Sequence, residues 1–342
     1  MATVADVAKG AGVSVATAAR VLSGTGYAAE ETRRLVLEAA RELGYVPNQI
    51  ARSLRTSQTR TIGLLIGDVE NSFYSVIAKN VESVAKGAGY HVVLCNSDDD
   101  PANERDYLRL LEGMRVDALI VTPTAKNRRH LARLTEKNVV IVQIDRPVEG
   151  LEADAILVDN EAGAAGAVGH LVEAGHSRIA ILTGELDVFT ASQRLAGYRR
   201  AMREHGLAMR ESLIKSGSFH REHAIEDATE LITARPAPTA IFAANNILAE
   251  ATLIALEQRG LRVPRDVSVV AFDDVPWMGM VEPPVTTVRQ PVADMARSAS
   301  ELAVRRLREG RDGPPSTVVF RTELIERRSV APVRKVKAAS VT

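Results

Sequence analysis

The sequence predicts an all-α head joined to an α/β body of two lobes, each a doubly wound parallel sheet. Three observations predict it. Residues 3–43 place apolar side chains at helical spacing, interrupted by glycine. From residue 61 the period changes: apolar runs at 62–66, 91–95, 117–121, 139–144, 155–158, 179–183, 239–243 and 267–272 alternate with helical stretches. Such alternation builds βαβ units around a buried sheet, and this many strands suit two lobes better than one. Charge divides at the same place. The 43 basic and 43 acidic side chains cancel over 342 residues, yet residues 1–60 hold eight bases and five acids, and 331–342 add Arg334, Lys335 and Lys337 with no acid. A basic head on an acidic body suits a polyanion-binding module carried by a globular domain.

In the head, Thr3 caps a first helix with Asp6 three residues on, and Val4, Val7, Ala8 and Ala11 form its inner stripe. Gly12 stops it, since the turn needs a residue that tolerates positive φ. Ser14 caps a second helix whose Ala18, Val21 and Leu22 face inward. After Ser23-Gly24-Thr25-Gly26, a third helix runs from Glu30 or Glu31 to Leu43 on Leu35, Val36, Ala39, Ala40 and Leu43, and Gly44 ends it. Helix, short glycine turn and helix is the pattern of a helix-turn-helix. Residues 45–60 read as a connector with three Arg and no acid, holding a short helix at 48–55 capped by Asn48.

Composition excludes much. No apolar run approaches the roughly 20 residues of a membrane span, and the N-terminus lacks a signal-peptide core. The lone Cys95 excludes a disulfide framework and a thiolate metal cage, and fits a reducing cytoplasm. The seven histidines complete no metal-ligand spacing, and His220 and His223 read as a surface pair. P-loop, nucleophile-elbow and zincin motifs are missing, so neither catalysis, cofactor nor metal is expected. Gly163, Gly166 and Gly169 read as close helix packing, Asp98-Asp99-Asp100 as a solvated loop capping the next helix, and Cys95 as a small buried hydrophobe.

Polar residues follow the apolar runs. Asp68, Asn71, Phe73 and Tyr74 come after the first; Asp145 and Arg146 after 139–144; Thr190 and Arg194 after 179–183. Asn245 and Asn246 follow 239–243, and Asp273, Asp274 and Trp277 follow 267–272. Open parallel sheets bind ligands beyond the carboxyl ends of their strands. Carboxylates, amides, an Arg fork and aromatic faces without a nucleophile–base pair suit a small polyhydroxylated or polar ligand.

Thr3-Val4-Ala5-Asp6-Val7-Ala8, Gly12-Val13-Ser14-Val15-Ala16-Thr17 and Arg20-Val21-Leu22 resemble the head of the lactose-repressor (LacI/GalR) family of bacterial transcriptional regulators. The likeness continues through Glu31-Thr32-Arg33, Leu43-Gly44-Tyr45, Pro47-Asn48 and Ala51-Arg52-Ser53-Leu54-Arg55. In the body it includes Val158-Asp159-Asn160, Gly175-His176, Arg194-Leu195-Ala196-Gly197-Tyr198, Phe272-Asp273-Asp274 and Arg289-Gln290-Pro291. Order and spacing hold over nearly the whole chain.

The resemblance implies a cytoplasmic, homodimeric, ligand-controlled repressor of operator DNA. Its head would be 1–58, with a hinge helix at about 48–56, followed by a periplasmic-binding-protein-like body at 61–330 and a basic tail at 331–342. The first lobe would take 61–158 and 291–317, the second 159–290 and 318–330. Val15, Ala16 and Arg20 would face base edges in the major groove, and Thr3, Ser14 and Thr17 would position phosphates. In the hinge, Leu54 would wedge into the minor groove beside Ala51, with Asn48 and Arg55 at the DNA. Ala18-Ala19 replaces the family's usual Val-Ser, and Gly10 replaces a larger residue.

For the effector, the family's sugar sites are similar at Arg194, Asn245, Asp273 and Gln290, with Asp145 and Thr190 nearby. Phe73, Tyr74, Phe219 and Trp277 would supply aromatic walls. Purine-binding members carry an additional Arg where this chain has Val188, which favours a sugar or polyol over a nucleobase. A solute-binding protein without DNA function would have the same body; the cationic head and missing leader speak against it. A sugar-modifying enzyme would need catalytic groups that the sequence does not offer.

Overall fold

The structure is a computed structural model that describes residues 2–23, 27–45, 58–217, 221–310 and 313–333. The expected hinge residues Asn48, Ala51, Leu54 and Arg55, together with Phe219, His220 and 334–342, lie outside the described residues. The chain divides into two compact units, Met1–Thr59 and Arg60–Thr342.

Among the described residues the head holds three helices, α1 (Val4–Gly10), α2 (Val15–Ser23) and α3 (Glu30–Glu42). Thr3 and Asp6 form the expected capping box: the Asp6 carboxylate accepts from the Thr3 amide (2.8 Å), and the Thr3 hydroxyl accepts from the Asp6 amide (3.3 Å). Gly12 adopts φ +66, which makes the turn to α2 a glycine position. Val7, Ala8, Ala18, Val21, Val36, Ala39 and Ala40 close a small buried core. Gly10 is the last residue of α1, and a methyl group there would meet Ala39 Cβ at 3.4 Å, an ordinary contact.

In the body, the first lobe runs β1 (Thr61–Ile66), α4 (Ser72–Gly87), β2 (His91–Asn96), α5 (Pro101–Gly113), β3 (Ala118–Val121), α6 (Arg128–Glu136), β4 (Val140–Ile144) and β5 (Asp154–Val158). The second runs α7 (Asn160–Glu173), β6 (Ile179–Thr183), α8 (Phe189–Glu204), β7 (Ile214–Ser216), α9 (Arg221–Thr233), β8 (Ala240–Ala243), α10 (Asn246–Gln258), β9 (Ser268–Phe272) and β10 (Thr286–Arg289). The chain then returns through α11 (Val292–Glu309) and β11 (Thr317–Phe320) and ends on β12 (Glu323–Ile325).

The first sheet has the order β11-β5-β4-β3-β1-β2, all parallel; the second has β12-β10-β9-β8-β6-β7, parallel except for β12. The lobes therefore repeat one topology, with β6–β10 standing where β1–β5 stand. In each, strand order reverses at the first strand, the place where such sheets open a crevice beyond their carboxyl ends. The central strands are fully buried runs of Ile, Leu, Val and Ala, which explains why they read as unbroken apolar stretches. The helix α11 lays Met295, Ala296, Ala299 and Ala303 into the first lobe's core, so the chain crosses between lobes three times.

Two expectations need correction. The strand β11 pairs with β5 through Phe320, so 318–320 belong to the first lobe and the third crossing falls at 321–322. Of the three glycines expected to serve close packing, only Gly163 does so. A Cβ there would lie 2.6 Å from Thr322 Oγ1 and 3.1 Å from Phe272 and Val288, whereas Gly166 faces open space and Gly169 meets nothing nearer than 4.0 Å. The tighter position is Gly197, where a Cβ would come within 2.3 Å of the Glu161 carbonyl; this glycine lets α8 press against α7.

Candidate functional site

The α2 face of the head divides cleanly. Ala18 and Val21 point into the core, while Val15 (53% exposed), Ala16 and Arg20 stand outward. Ser14 Oγ accepts from the Thr17 amide (3.1 Å) and shares a hydrogen bond with the Thr17 hydroxyl (2.8 Å), which caps the start of α2 as expected. An exposed valine and alanine at the start of a helix, with an exposed arginine in its last turn, is chemistry that base edges and phosphates can use. On α3, by contrast, Arg34 is held between Glu31 and Glu38 as an ordinary surface pairing.

The body opens a cleft between its lobes that encloses about 490 Å³ of empty space, part of it open to solvent. From the first lobe, Asn71 caps α4 by accepting from the Phe73 amide (3.0 Å), so Phe73 and Tyr74 sit at the helix start facing the cleft. Their rings meet edge to face, 5.1 Å apart. Asp145 and Arg146 follow β4. The Arg146 guanidinium donates to the Tyr74 hydroxyl (2.7 Å) and to Asp99 Oδ1 (2.7 Å), and its Nε lies 3.5 Å from Asp145 Oδ2. Burial works against that cation, but Tyr74, Asp99 and Asp145 outweigh it and hold the guanidinium charged.

The second lobe answers with Thr190 and Arg194 on α8, Asn245 capping α10, Asp273 after β9 and Gln290 directly after β10, where the chain crosses back. Arg194 is buried; Nε donates to Asn160 Oδ1 (2.8 Å), Nη1 donates to the Ala244 carbonyl (2.6 Å), and the guanidinium stacks 3.8 Å over Phe272. Asp273 accepts from Gln290 Nε2 (2.6 Å) and from the Asn246 amide (3.2 Å). Burial pushes the Asp145 carboxyl up and the Arg194 guanidinium down from their usual ranges.

Asp145 and Asp273 end equivalent strands, β4 and β9, and both adopt φ +72. Left-handed backbone at a non-glycine residue costs roughly 1 kcal/mol or more, and with Asp99 at φ +53 three such residues at one cleft mark where the fold bears strain to aim a side chain.

The structure thus brings Phe73, Tyr74, Asp145, Thr190, Arg194, Asn245, Asp273 and Gln290 to one cleft. Among the described residues Trp277 is the exception: it packs against the second-lobe core from the short 3₁₀ turn at Pro276–Gly279 and does not line the cleft. Asp68, Asn71, Asp99, Arg146 and Ile247 also line it. The first two and Arg146 were visible as residues following strands. Asp99 looked like a loop acid because its neighbour Asp100 does cap α5, accepting from the Ala102 amide (2.7 Å). Ile247 carried no signal. Among the described residues, no helix is long and apolar enough to cross a membrane, and no group of three or more His, Cys, Asp or Glu can hold a metal.

Two family models match the chain: bacterial regulatory proteins of the lacI family over residues 3–48, and a periplasmic binding protein-like domain over 168–330. The chain is 36% identical over 331 residues to the HTH-type transcriptional repressor PurR of Photobacterium profundum, covering 96% of this chain and 99% of that protein. Its fold is similar to the transcriptional regulator CelR in complex with cellobiose (TM-score 0.73, 31% identity, 96% and 100% covered). It is also similar to the Lac repressor dimer bound to operator and the anti-inducer ONPF (TM-score 0.85, 26% identity, 96% and 99% covered). On this likeness along the whole of head and body, the chain belongs to the lacI family of bacterial regulatory proteins.

Proposed function

We propose that this protein is a cytoplasmic, homodimeric transcriptional repressor that binds a pseudo-palindromic operator and responds to a sugar or related polyol held between the lobes of its body. The observation that carries the effector reading is the cleft itself. Carboxylates, amides, a threonine hydroxyl, two buried guanidiniums and an aromatic pair converge on it from both lobes, with no nucleophile–base pair among them. Carboxylates and amides satisfy neighbouring hydroxyls as acceptors and donors, and the Phe73 and Tyr74 rings cover an apolar ring face. Val188 stands at the N-terminus of α8, a position where purine-binding members of the family carry an Arg, which supports a polyol over a nucleobase. The similarity to a cellobiose complex favours the same class.

Control follows from having two lobes. A ligand that contacts both favours one lobe arrangement and shifts its population by no more than its differential affinity. In a dimer, that movement changes how the two hinge segments of 48–56 meet on DNA, where Leu54 acts as the minor-groove wedge. Thr3, Ser14 and Thr17 position phosphates, while Val15, Ala16 and Arg20 read bases. A solute-binding protein would have no use for the exposed face of α2. A gel shift with the DNA upstream of the protein's own gene, with and without a panel of sugars, tests the reading. A retarded band that changes with one sugar supports it, and no retention at low salt contradicts it.

A further inference from the structure

The ionisable side chains of the cleft do not balance. Four carboxylates, Asp68, Asp99, Asp145 and Asp273, face two guanidiniums, Arg146 and Arg194. Arg146 Nη2 already donates to Tyr74 and Asp99, while its Nε stands 3.5 Å from Asp145 as a buried donor without a hydrogen bond. Arg194 directs two of its nitrogens at Asn160 and the Ala244 carbonyl and lays its face on Phe272. Neither guanidinium is fully available to an incoming anion. Besides that one donor, the cleft leaves an acceptor unpartnered. Because Gln290 Nε2 donates to Asp273, the amide orientation is fixed, and Gln290 Oε1 is left buried without a partner in a side chain only 6% exposed. Just behind the lining, Asn246 Oδ1 is also buried without a partner, on the residue whose backbone amide bonds to Asp273 and whose Nδ2 reaches Asn71 of the other lobe.

Asp145 and Asp273 come from opposite lobes, so closing the cleft on an uncharged ligand sets two carboxylates toward one another. Burial is the main force pushing the Asp145 carboxyl up, and the Asp273 charge adds to it against the pull of Arg146 and Arg194. An ammonium answers both imbalances: it supplies donors, accepts nothing and carries the missing charge. Each carboxylate oxygen of Asp273 accepts one hydrogen bond and retains capacity for another.

We propose that the effector is a hydroxyl-bearing amine of the amino-sugar class, its ammonium seated between Asp145 and Asp273, and that phosphorylated and carboxylated sugars are excluded. The inference rests on reading the cleft as a sugar or polyol site and adds the charge of the ligand. A cation touching carboxylates of both lobes also favours the closed arrangement over the open one, which couples its binding to the lobe movement. An anion would have to give up its hydration facing a net negative wall.

The test is titration calorimetry on the full-length protein with glucosamine, galactosamine and mannosamine, the parent hexoses glucose, galactose and mannose, and the corresponding hexose phosphates. In the series that binds, the amine is expected about tenfold or more tighter than its parent hexose, the gain of one charge-assisted contact, and the phosphate weaker than both. Added salt should narrow the gap between amine and parent. Asp145→Asn and Asp273→Asn should each bring amine and parent close to equal affinity; the wild-type comparison stands even where a variant folds poorly. A parent hexose binding as tightly as its amine, or a phosphate binding most tightly, overturns the cationic effector and leaves the sugar reading intact. No binding by any member of any series removes the sugar reading, and this inference with it.

Discussion

At the scale of single residues, the head and the cleft make separable predictions. Arg20→Ala should cost about 1–3 kcal/mol of operator affinity and relax the preference at one symmetric base pair, as measured by binding to singly substituted operators. Leu54→Ala should lose operator specificity while keeping weak, salt-sensitive DNA binding, because phosphate contacts persist when the wedge is gone. In the cleft, Arg194→Ala or Asp273→Ala should weaken the effector roughly 10–150-fold, the range expected for removing a hydrogen bond to a charged group. His176 belongs to stability instead. It is buried, with Nδ1 2.9 Å from the Thr239 hydroxyl and Nε2 3.1 Å from the Ala331 carbonyl, and so ties the final segment to the second lobe. Burial lowers its pKa, against a smaller opposing effect of the Ala331 carbonyl. The unfolded chain therefore binds this proton first: the contribution is full above the unfolded value near 6.5 and is lost as pH falls toward the folded one. Melting curves of wild type and His176→Gln across that window check the sign. The wild type should lose more stability on acidification than the variant.

At the scale of elements, the head was legible nearly residue by residue, because its signals are local: a capping box, a glycine at positive φ and a four-residue apolar stripe. Eight strands were legible as apolar runs: seven are buried along nearly their whole length, and β2 reads as one by composition alone, since of its residues only Cys95 is buried. The four strands that were not, β7, β10, β11 and β12, lack that signature. β7 has three partly exposed residues, β10 reads Thr-Thr-Val-Arg, and β11 turns Val318 and Val319 outward at 38% and 55% exposure. Edge strands and crossing strands owe their place to partners far away in sequence, which no short window records. Trp277 was misplaced for a related reason, since following a strand does not say which way the next turn faces. Gly10 offers an element-scale prediction. It closes α1 at ordinary backbone angles with room for a methyl group, so Gly10→Ala should stabilise the head by about 0.5–1 kcal/mol in chemical denaturation.

At the scale of the whole molecule, function depends on arrangements that no single element carries. The cleft exists because two copies of one topology face each other and the chain crosses between them three times. Gly163 shows how tight that junction is, with Thr322 of the third crossing and Phe272 and Val288 of the second lobe all within 3.1 Å of a Cβ it does not have. The proposed dimer likewise sets two heads on one duplex. A fragment of residues 1–58 should fold, since its core is its own, yet bind operator far more weakly than the full chain, because the second half-site is then no longer reached at high effective concentration. Full-length affinity in a folded monomeric fragment would contradict the dimer.

The central claim is that a ligand in the cleft controls the grip of a distant head. Fluorescence anisotropy tests it most directly: the protein is bound to its own upstream DNA, and the sugar or amino sugar identified by calorimetry is titrated in. Wild type should change its operator affinity along a saturable curve, and Arg194→Ala and Asp273→Ala should reach half-response only at roughly 10–150-fold higher concentration. Variants that respond at the wild-type concentration, or a wild type whose operator affinity ignores a ligand that occupies the cleft, would contradict the account.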